Sequence, residues 1–222
     1  MDWQRRFAPK IVDAQEAVSR IMRGSRVFIG TGCGEPQHLI RAMVKDERLQ
    51  DIMVYQMLSS TLSQFVEDES FIRRFSLKLF FISQSMRKAA FDGKIDYIPE
   101  YLSQIPRLFA SHQIGLDVAL VQVSPPDKFG YCSLGVSVDI TRSAVEHASA
   151  VIAQVNPRMP RTWGDSFVHV DDIDWLVPHE EALVEALPKV KDNEVARRIG
   201  HYVSELVDDG ATLQIGFGSL PY

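Results

Sequence analysis

Residues 26–36 read Arg26-Val-Phe-Ile-Gly-Thr-Gly-Cys-Gly-Glu-Pro36, and this stretch sets the fold class. The apolar run Val27, Phe28, Ile29 is too short for a helix and suits a strand, and glycines at 30, 32 and 34 then break any regular element. Beyond Pro36, the residues Leu39, Ile40, Met43 and Val44 fall on a helical period. Strand, glycine-rich loop and helix in that order open an α/β unit.

Upstream, Asp13-Ala-Gln-Glu16 has the spacing of a capping box, and Ala14, Ala17, Val18, Ile21 and Met22 recur at helical intervals as far as Gly24. A helix over residues 13–23 is predicted. Downstream, residues 52–55, 77–82, 116–123 and 151–155 form short apolar runs without alternation, the pattern of strands buried on both faces of a parallel sheet. Residues 60–75 and 139–150 read as helices, whereas residues 95–109, with Pro99 and Pro106, read as irregular. Ser124-Pro-Pro-Asp-Lys-Phe-Gly-Tyr131 is a loop, since two prolines and a glycine forbid a continuous ladder or helix. The expected fold is therefore α/β, a mostly parallel open sheet flanked by helices. The Ser124 loop would stand at a carboxyl edge, where ligands of such sheets bind.

Composition narrows the function classes. The 24 Lys and Arg oppose 29 Asp and Glu for a net charge of −5, which argues against a general nucleic-acid or anionic-membrane binder. With 45% hydrophobic residues the 222-residue chain can bury a sizeable core. Its longest uncharged run, residues 52–66, carries Gln56, Ser59, Ser60, Thr61, Ser63 and Gln64, and falls short of the roughly 20 apolar residues of a membrane-spanning helix. The opening Met-Asp-Trp-Gln-Arg-Arg6 places charges where a secretory signal carries its apolar stretch, so a cytoplasmic protein is expected. Cys33 and Cys132 have no CxxC partner and read as free thiols. The six histidines show no HExxH or HxH spacing, so no metal site is expected.

The loop after residue 29 recurs at the end of the chain. Gly24-Ser-Arg-Val-Phe-Ile-Gly-Thr-Gly32 aligns without a gap on Gly210-Ala-Thr-Leu-Gln-Ile-Gly-Phe-Gly218, each preceded by a helical pattern and followed by a proline, Pro36 or Pro221. The echo predicts a strand over residues 211–215 that begins a second, related α/β unit. It divides the chain into a domain over residues 1–209 and the start of a truncated domain over residues 210–222. That segment would then be mobile or in contact with another chain.

Several residues are candidates for chemistry. Gly30-x-Gly32-x-Gly34 is either an anion cradle of backbone N–H groups or a tight strand-to-helix turn; it is neither the dinucleotide fingerprint nor a P-loop, which needs a lysine. Asn156-Pro-Arg-Met-Pro-Arg161 follows a predicted strand, so Asn156, Arg158 and Arg161 either meet a carboxylate or phosphate or serve as a stiff surface connection. Arg87 has the same two readings. There is no GxSxG nucleophile elbow.

Taken together, four blocks resemble the acetyl-CoA hydrolase/transferase family: Gly30-Thr-Gly-Cys-Gly-Glu-Pro36, Val123-Ser-Pro-Pro-Asp-Lys-Phe-Gly-Tyr-Cys-Ser-Leu-Gly135, Ile152-Ala-Gln-Val-Asn-Pro-Arg-Met-Pro-Arg-Thr-Trp-Gly-Asp165 and Leu213-Gln-Ile-Gly-Phe-Gly-Ser-Leu-Pro221. The Ser-Pro-Pro-Asp and Asn-x-x-Met-Pro-Arg-Thr blocks are the most specific, and the resemblance runs over nearly the whole chain. It implies a CoA-transferase-like domain (NagB/RpiA/CoA-transferase type), two α/β halves with the active site at their junction, and ping-pong transfer of CoA from a short-chain acyl-CoA to a carboxylate. A glutamate in the second half would carry the CoA as a glutamyl thioester. CoA and acyl-CoA would be substrates, with no tightly bound cofactor, and a homo-oligomer is expected. The alternatives are an acyl-CoA hydrolase and a non-catalytic CoA-binding module. By resemblance Gly216, Phe217, Gly218, Ser219 and Leu220 form a CoA-binding loop. Neither Glu35 nor Glu180 sits in the family's glutamate motif, so no residue here is assigned as catalytic and the 222-residue chain alone is expected to be inactive.

Overall fold

The protein is described by a computed structural model in which residues 3–185 and 194–216 are placed. Its strands are β1 (Arg26–Ile29), β2 (Ile52–Gln56), β3 (Phe75–Leu79), β4 (Asp96–Tyr97), β5 (Leu116–Val123), β6 (Tyr131–Ser133), β7 (Ala148–Val155), β8 (Phe167–His169) and β9 (Trp175–Pro178). Its helices are α1 (Trp3–Arg6), α2 (Ala14–Val18), α3 (Gln37–Lys45), α4 (Glu69–Arg74), α5 (Arg87–Phe91), α6 (Ile105–Ala110), α7 (Thr141–His147) and α8 (Glu194–Ser204). The chain divides into two compact units, Met1–Val184 and Glu185–Tyr222.

In the first unit seven strands form one parallel sheet in the order β4-β3-β2-β1-β5-β7-β9. The chain builds outward from β1 to β4 on one side, then returns to build β5, β7 and β9 on the other. The reversal leaves the β1/β5 junction as the topological switch point, where α/β sheets open a crevice at their carboxyl ends. β6 and β8 form a separate antiparallel ribbon.

The apolar runs do not alternate because both sheet faces are covered. Val27, Ile29, Val54, Leu77, Leu120 and Ile152 pack in one buried cluster with residues of α2 and α3, while Phe28, Ala119, Val121, Ala153 and Val155 pack in another with α6 and α7 residues. Phe28 is fully buried, its ring edge-on to Phe109 at 5.8 Å.

Several elements differ from the sequence expectation. Asp13 caps α2 as its spacing predicts, accepting from Glu16 N at 2.7 Å, but the helix ends at Val18 rather than near residue 23. Tight turns follow that carry Ile21 into the core, and Gly24 takes the left-handed φ of +78°. Over residues 60–75, expected as one helix, only α4 is α-helical; Asp68 caps it and Phe75 already pairs with Ile52 as the start of β3. That pairing also sets β3 earlier than the expected 77–82. Residues 95–109 were expected to be irregular, yet they hold β4 and most of α6. Pro106 lies in the first turn of α6, where a missing N–H costs nothing. Residues 148–150, expected in a helix, belong to β7, since Leu116 and Val118 of β5 pair with Ala148 and Ala150. Residues 211–215 form no strand: a strand needs a ladder partner, and Leu213 and Ile215 are exposed. Among the described residues no helix is long and apolar enough to cross a membrane.

Candidate functional site

The carboxyl edge of the sheet carries a row of buried amides. Gln56 ends β2, and Gln122 and Gln154 stand next to last in β5 and β7; none is more than 2% exposed. By strand parity they continue the apolar rows of Val54, Leu120 and Ile152, so all three sit on the face covered by α3.

Their bonds close the switch point from inside. Gln122 donates to the backbone oxygen of Glu35 at 2.8 Å, and its Oε1 accepts from Asn156 Nδ2 at 2.7 Å and Gln154 Nε2 at 3.2 Å. Gln154 Oε1 accepts from His38 N at 3.1 Å, and Gln154 Nε2 donates to Glu181 Oε1 at 2.7 Å. Glu181 Oε1 also accepts from His38 N, so a carboxylate of this chain occupies the first turn of α3, where the helix presents free N–H groups. Burial pushes the Glu181 carboxyl up, but Arg41 and Gln154 bonding and the Arg41 charge outweigh it and hold the group below the ordinary range. His38 stacks on His179 with ring centroids 3.7 Å apart. Burial first, and the neighbouring His179 second, lower the His38 pKa.

The glycine loop is likewise satisfied by its own surroundings. Gly30 N donates to Leu120 O, Gly32 N to Leu58 O, Gly34 N to Thr31 O and Glu35 N to Gly32 O. Of the two readings of this loop, the tight turn is the one its N–H groups adopt. Gly34 is required there, because a Cβ would lie 2.5 Å from Ser137 Cβ.

Glu35 turns inward. Its carboxylate is completely buried and accepts from Ser60 N at 2.7 Å, Thr61 N at 2.8 Å, Thr61 Oγ1 at 2.6 Å and Gln56 Nε2 at 3.0 Å. Burial raises its pKa above the ordinary value of 4.5, against the bonds from Thr61 and Ser60 that lower it.

Asn156, Arg158 and Arg161 all take the connecting role among their two readings. Asn156 is buried and holds residues 158 and 181 through Oδ1 while donating to Glu181 O at 2.8 Å. Arg158 pairs with Glu180 at 3.1 Å, and Arg161 clamps the Ser124 loop by pairing with Asp127 at 3.0 Å and donating to Tyr131 O at 2.7 Å. The two family-like blocks thus brace one another. Asp127 also accepts from Phe129 N and Tyr131 N, each at 2.9 Å, which shapes the loop. Arg87 is exposed after β3 and is not brought to this network. Gly216 is exposed, and Phe217, Gly218, Ser219 and Leu220 lie outside the described residues.

The residues that sequence reasoning missed are Gln56, Gln122, Gln154 and Glu181. For the three glutamines the signal was a glutamine at or just before the end of an apolar run, a polar group that a two-sided core tolerates only with partners, and Glu181 carried no comparable signal.

Residues 1–188 match the acetyl-CoA hydrolase/transferase N-terminal domain. 4-Hydroxybutyrate coenzyme A transferase of Clostridium kluyveri is 41% identical over 222 residues, covering 100% of this chain and 51% of that protein. Succinyl-CoA:acetate/propanoyl-CoA:succinate CoA transferase of Fasciola hepatica is 37% identical, covering 97% of this chain and 45% of that protein. Among solved structures, RipA from Yersinia pestis superposes with a TM-score of 0.88 at 30% identity, over 100% of this chain and 54% of its own. 4-Hydroxybutyrate CoA-transferase from Porphyromonas gingivalis gives a TM-score of 0.76 at 30% identity, over 99% of this chain and 51% of its own. The chain spans about half the length of the curated relatives it matches.

Proposed function

The chain belongs to the acetyl-CoA hydrolase/transferase family through its N-terminal domain, and from that premise we propose that it supplies the N-terminal half of a CoA-transferase. The enzyme moves CoA between a short-chain acyl-CoA and a carboxylate such as 4-hydroxybutyrate or acetate. The observation that carries this reading is the match of the whole chain to about half of a transferase at 41% identity. Its attacking glutamate belongs to the other half. Glu35 is unsuited to attack, because both its oxygens are buried and already accept hydrogen bonds. Glu180 is engaged by Arg158.

In this reading residues 210–222 open the second half, Gly216 to Leu220 contribute a CoA-binding loop there, and the enzyme is a cytoplasmic homo-oligomer that takes acyl-CoA as substrate without a tightly bound cofactor. A thioester-exchange assay tests it. The 222-residue chain alone shows no exchange from acetyl-CoA to a carboxylate above background, and the chain produced with a second half does. Turnover by the isolated chain, abolished by substituting one of its own glutamates, overturns the reading. Hydrolysis with water as the only acceptor assigns a hydrolase instead, and CoA binding by calorimetry without turnover in either form assigns a binding module.

A further inference from the structure

Two loops meet at the carboxyl ends of neighbouring strands β1 and β2, and one buried side chain joins them. The loop after β1 contributes Glu35; the loop after β2 contributes residues 59–61, whose Ser60 N, Thr61 N and Thr61 Oγ1 all donate to the Glu35 carboxylate. Gln56 ties the same pair from below, donating to Gly30 O at 2.9 Å and to Glu35 Oε1 at 3.0 Å, while Gln122 of β5 holds the Glu35 backbone oxygen. Gly32 N adds a backbone bond to Leu58 O at 3.0 Å. The post-β2 loop thus presents two backbone N–H groups and a hydroxyl, and the group that fills this donor set is the Glu35 carboxyl of the same chain.

We propose that Glu35 is a positioning residue: its carboxylate fixes residues 59–61 against the glycine loop, so that the two loops form one rigid rim beside the switch point and present a preformed wall to the acyl-CoA. The part of this inference that concerns acyl-CoA rests on the proposed transferase function; the latch itself does not. The physical argument is the cost of loosening it. A buried carboxylate that loses its donors, or donors that lose their carboxylate, leave several polar groups unpaired at once. No such arrangement is needed merely to turn a strand into a helix, since the backbone bonds of Gly30, Gly32 and Gly34 already accomplish that turn.

Among the described residues the groups placed against the carboxyl are neutral: Gln56 from β2, and Ser59, Ser60 and Thr61 from the post-β2 loop, with Gln122 of β5 on its main-chain oxygen. Opening the latch therefore solvates an acid that burial has raised, and ionisation favours opening. After correction for intrinsic exchange, this contribution to protection at residues 60 and 61 is fully present below pH 4.5 and is lost as pH rises through the raised Glu35 pKa.

Amide hydrogen exchange on the 222-residue chain tests this. Glu35→Ala accelerates exchange at residues 60 and 61 by about tenfold or more and leaves Val121 and Ala153 in the sheet unchanged. Glu35→Gln keeps the side chain's volume but turns an NH2 toward donors; it abolishes the pH dependence at residues 60 and 61, and the wild type retains it. Unchanged exchange at those amides in both variants, or equal acceleration throughout the sheet, overturns the positioning role. Acetyl-CoA added to the wild-type chain is expected to slow exchange at residues 31–34 and 58–61. The latch signature without an acetyl-CoA effect supports the positioning role and faults the acyl-CoA reading alone.

Discussion

The segments beginning at Gly24 and Gly210 share a sequence pattern and one local conformation, and then part company. Both glycines take left-handed φ angles, +78° and +81°. After Gly24, Val27, Phe28 and Ile29 enter the sheet with no exposed surface; after Gly210, Leu213 and Ile215 are 62% and 68% exposed. The first run lies between β2 and β5, which supply a ladder on each side. The second has no ladder among the described residues. A glycine and an apolar run specify a turn and a strand-forming tendency, but neighbours make the strand.

The largest effect that could break this contrast lies in the apolar residues. Phe28→Ala removes a fully buried ring packed on Phe109 and is expected to cost about 3–5 kcal/mol in urea denaturation. Ile215→Ala is expected to stay within about 0.5 kcal/mol, as exposed substitutions do. Deleting residues 211–222 should likewise leave the urea midpoint of the sheet unit in place. A cooperative loss well above ~1 kcal/mol on that deletion would make the terminal segment part of this unit's own core.

A smaller effect isolates the shared glycine. Neither Gly24 nor Gly210 has an atom that an added Cβ would meet within 4 Å, so each alanine substitution reports backbone strain alone. Gly24→Ala should cost about 1 kcal/mol, because an L residue is disfavoured in the left-handed region and the fold holds that residue there. Gly210→Ala should not move the same denaturation curve. Equal losses at both positions would show the two segments to be equally constrained.

The sheet was legible in the sequence for the same reason that its first strand resists substitution. β1, β2, β5 and β7 lie deep between two apolar layers, and their runs of Val, Ile, Leu and Phe record that burial directly. β4 is a two-residue edge, and β6 and β8 are three-residue strands, too short to leave a periodic signal. The site was legible only in part. Motifs located the loops at the carboxyl edge, yet Glu35, noted only because it failed to match a catalytic motif, has its role set by residues 60 and 61. Asn156, Arg158 and Arg161 were candidates for ligand contact, and the structure uses all three on its own chain. Which partner a polar side chain finds depends on strand order, and strand order is not written in local spacing.

The smallest expected effect compares the two loops by thiol chemistry. Cys132 is buried in β6, and desolvation pushes its pKa up to about 12, so it stays silent to a maleimide while the protein is folded. Cys33 lies in the turn after β1 and is partly exposed, held by a loop whose N–H groups at 30, 32 and 34 are all bonded. The wild-type chain should therefore label at one thiol under native conditions and at both of its two cysteines in denaturant. Gln214→Cys places a third thiol in the exposed terminal segment. That thiol should react at close to the rate of an unstructured peptide, with Cys33 slower by about threefold to tenfold, since its approach depends on partial opening of a tied loop. The order is informative because both probes sit near a Gly-x-Gly pattern and differ mainly in whether neighbouring strands hold the loop. Equal rates would mean that the β1 loop is no more constrained than its terminal echo, and the hydrogen bonds to Leu58, Leu120 and Thr31 would then fail to order it in solution.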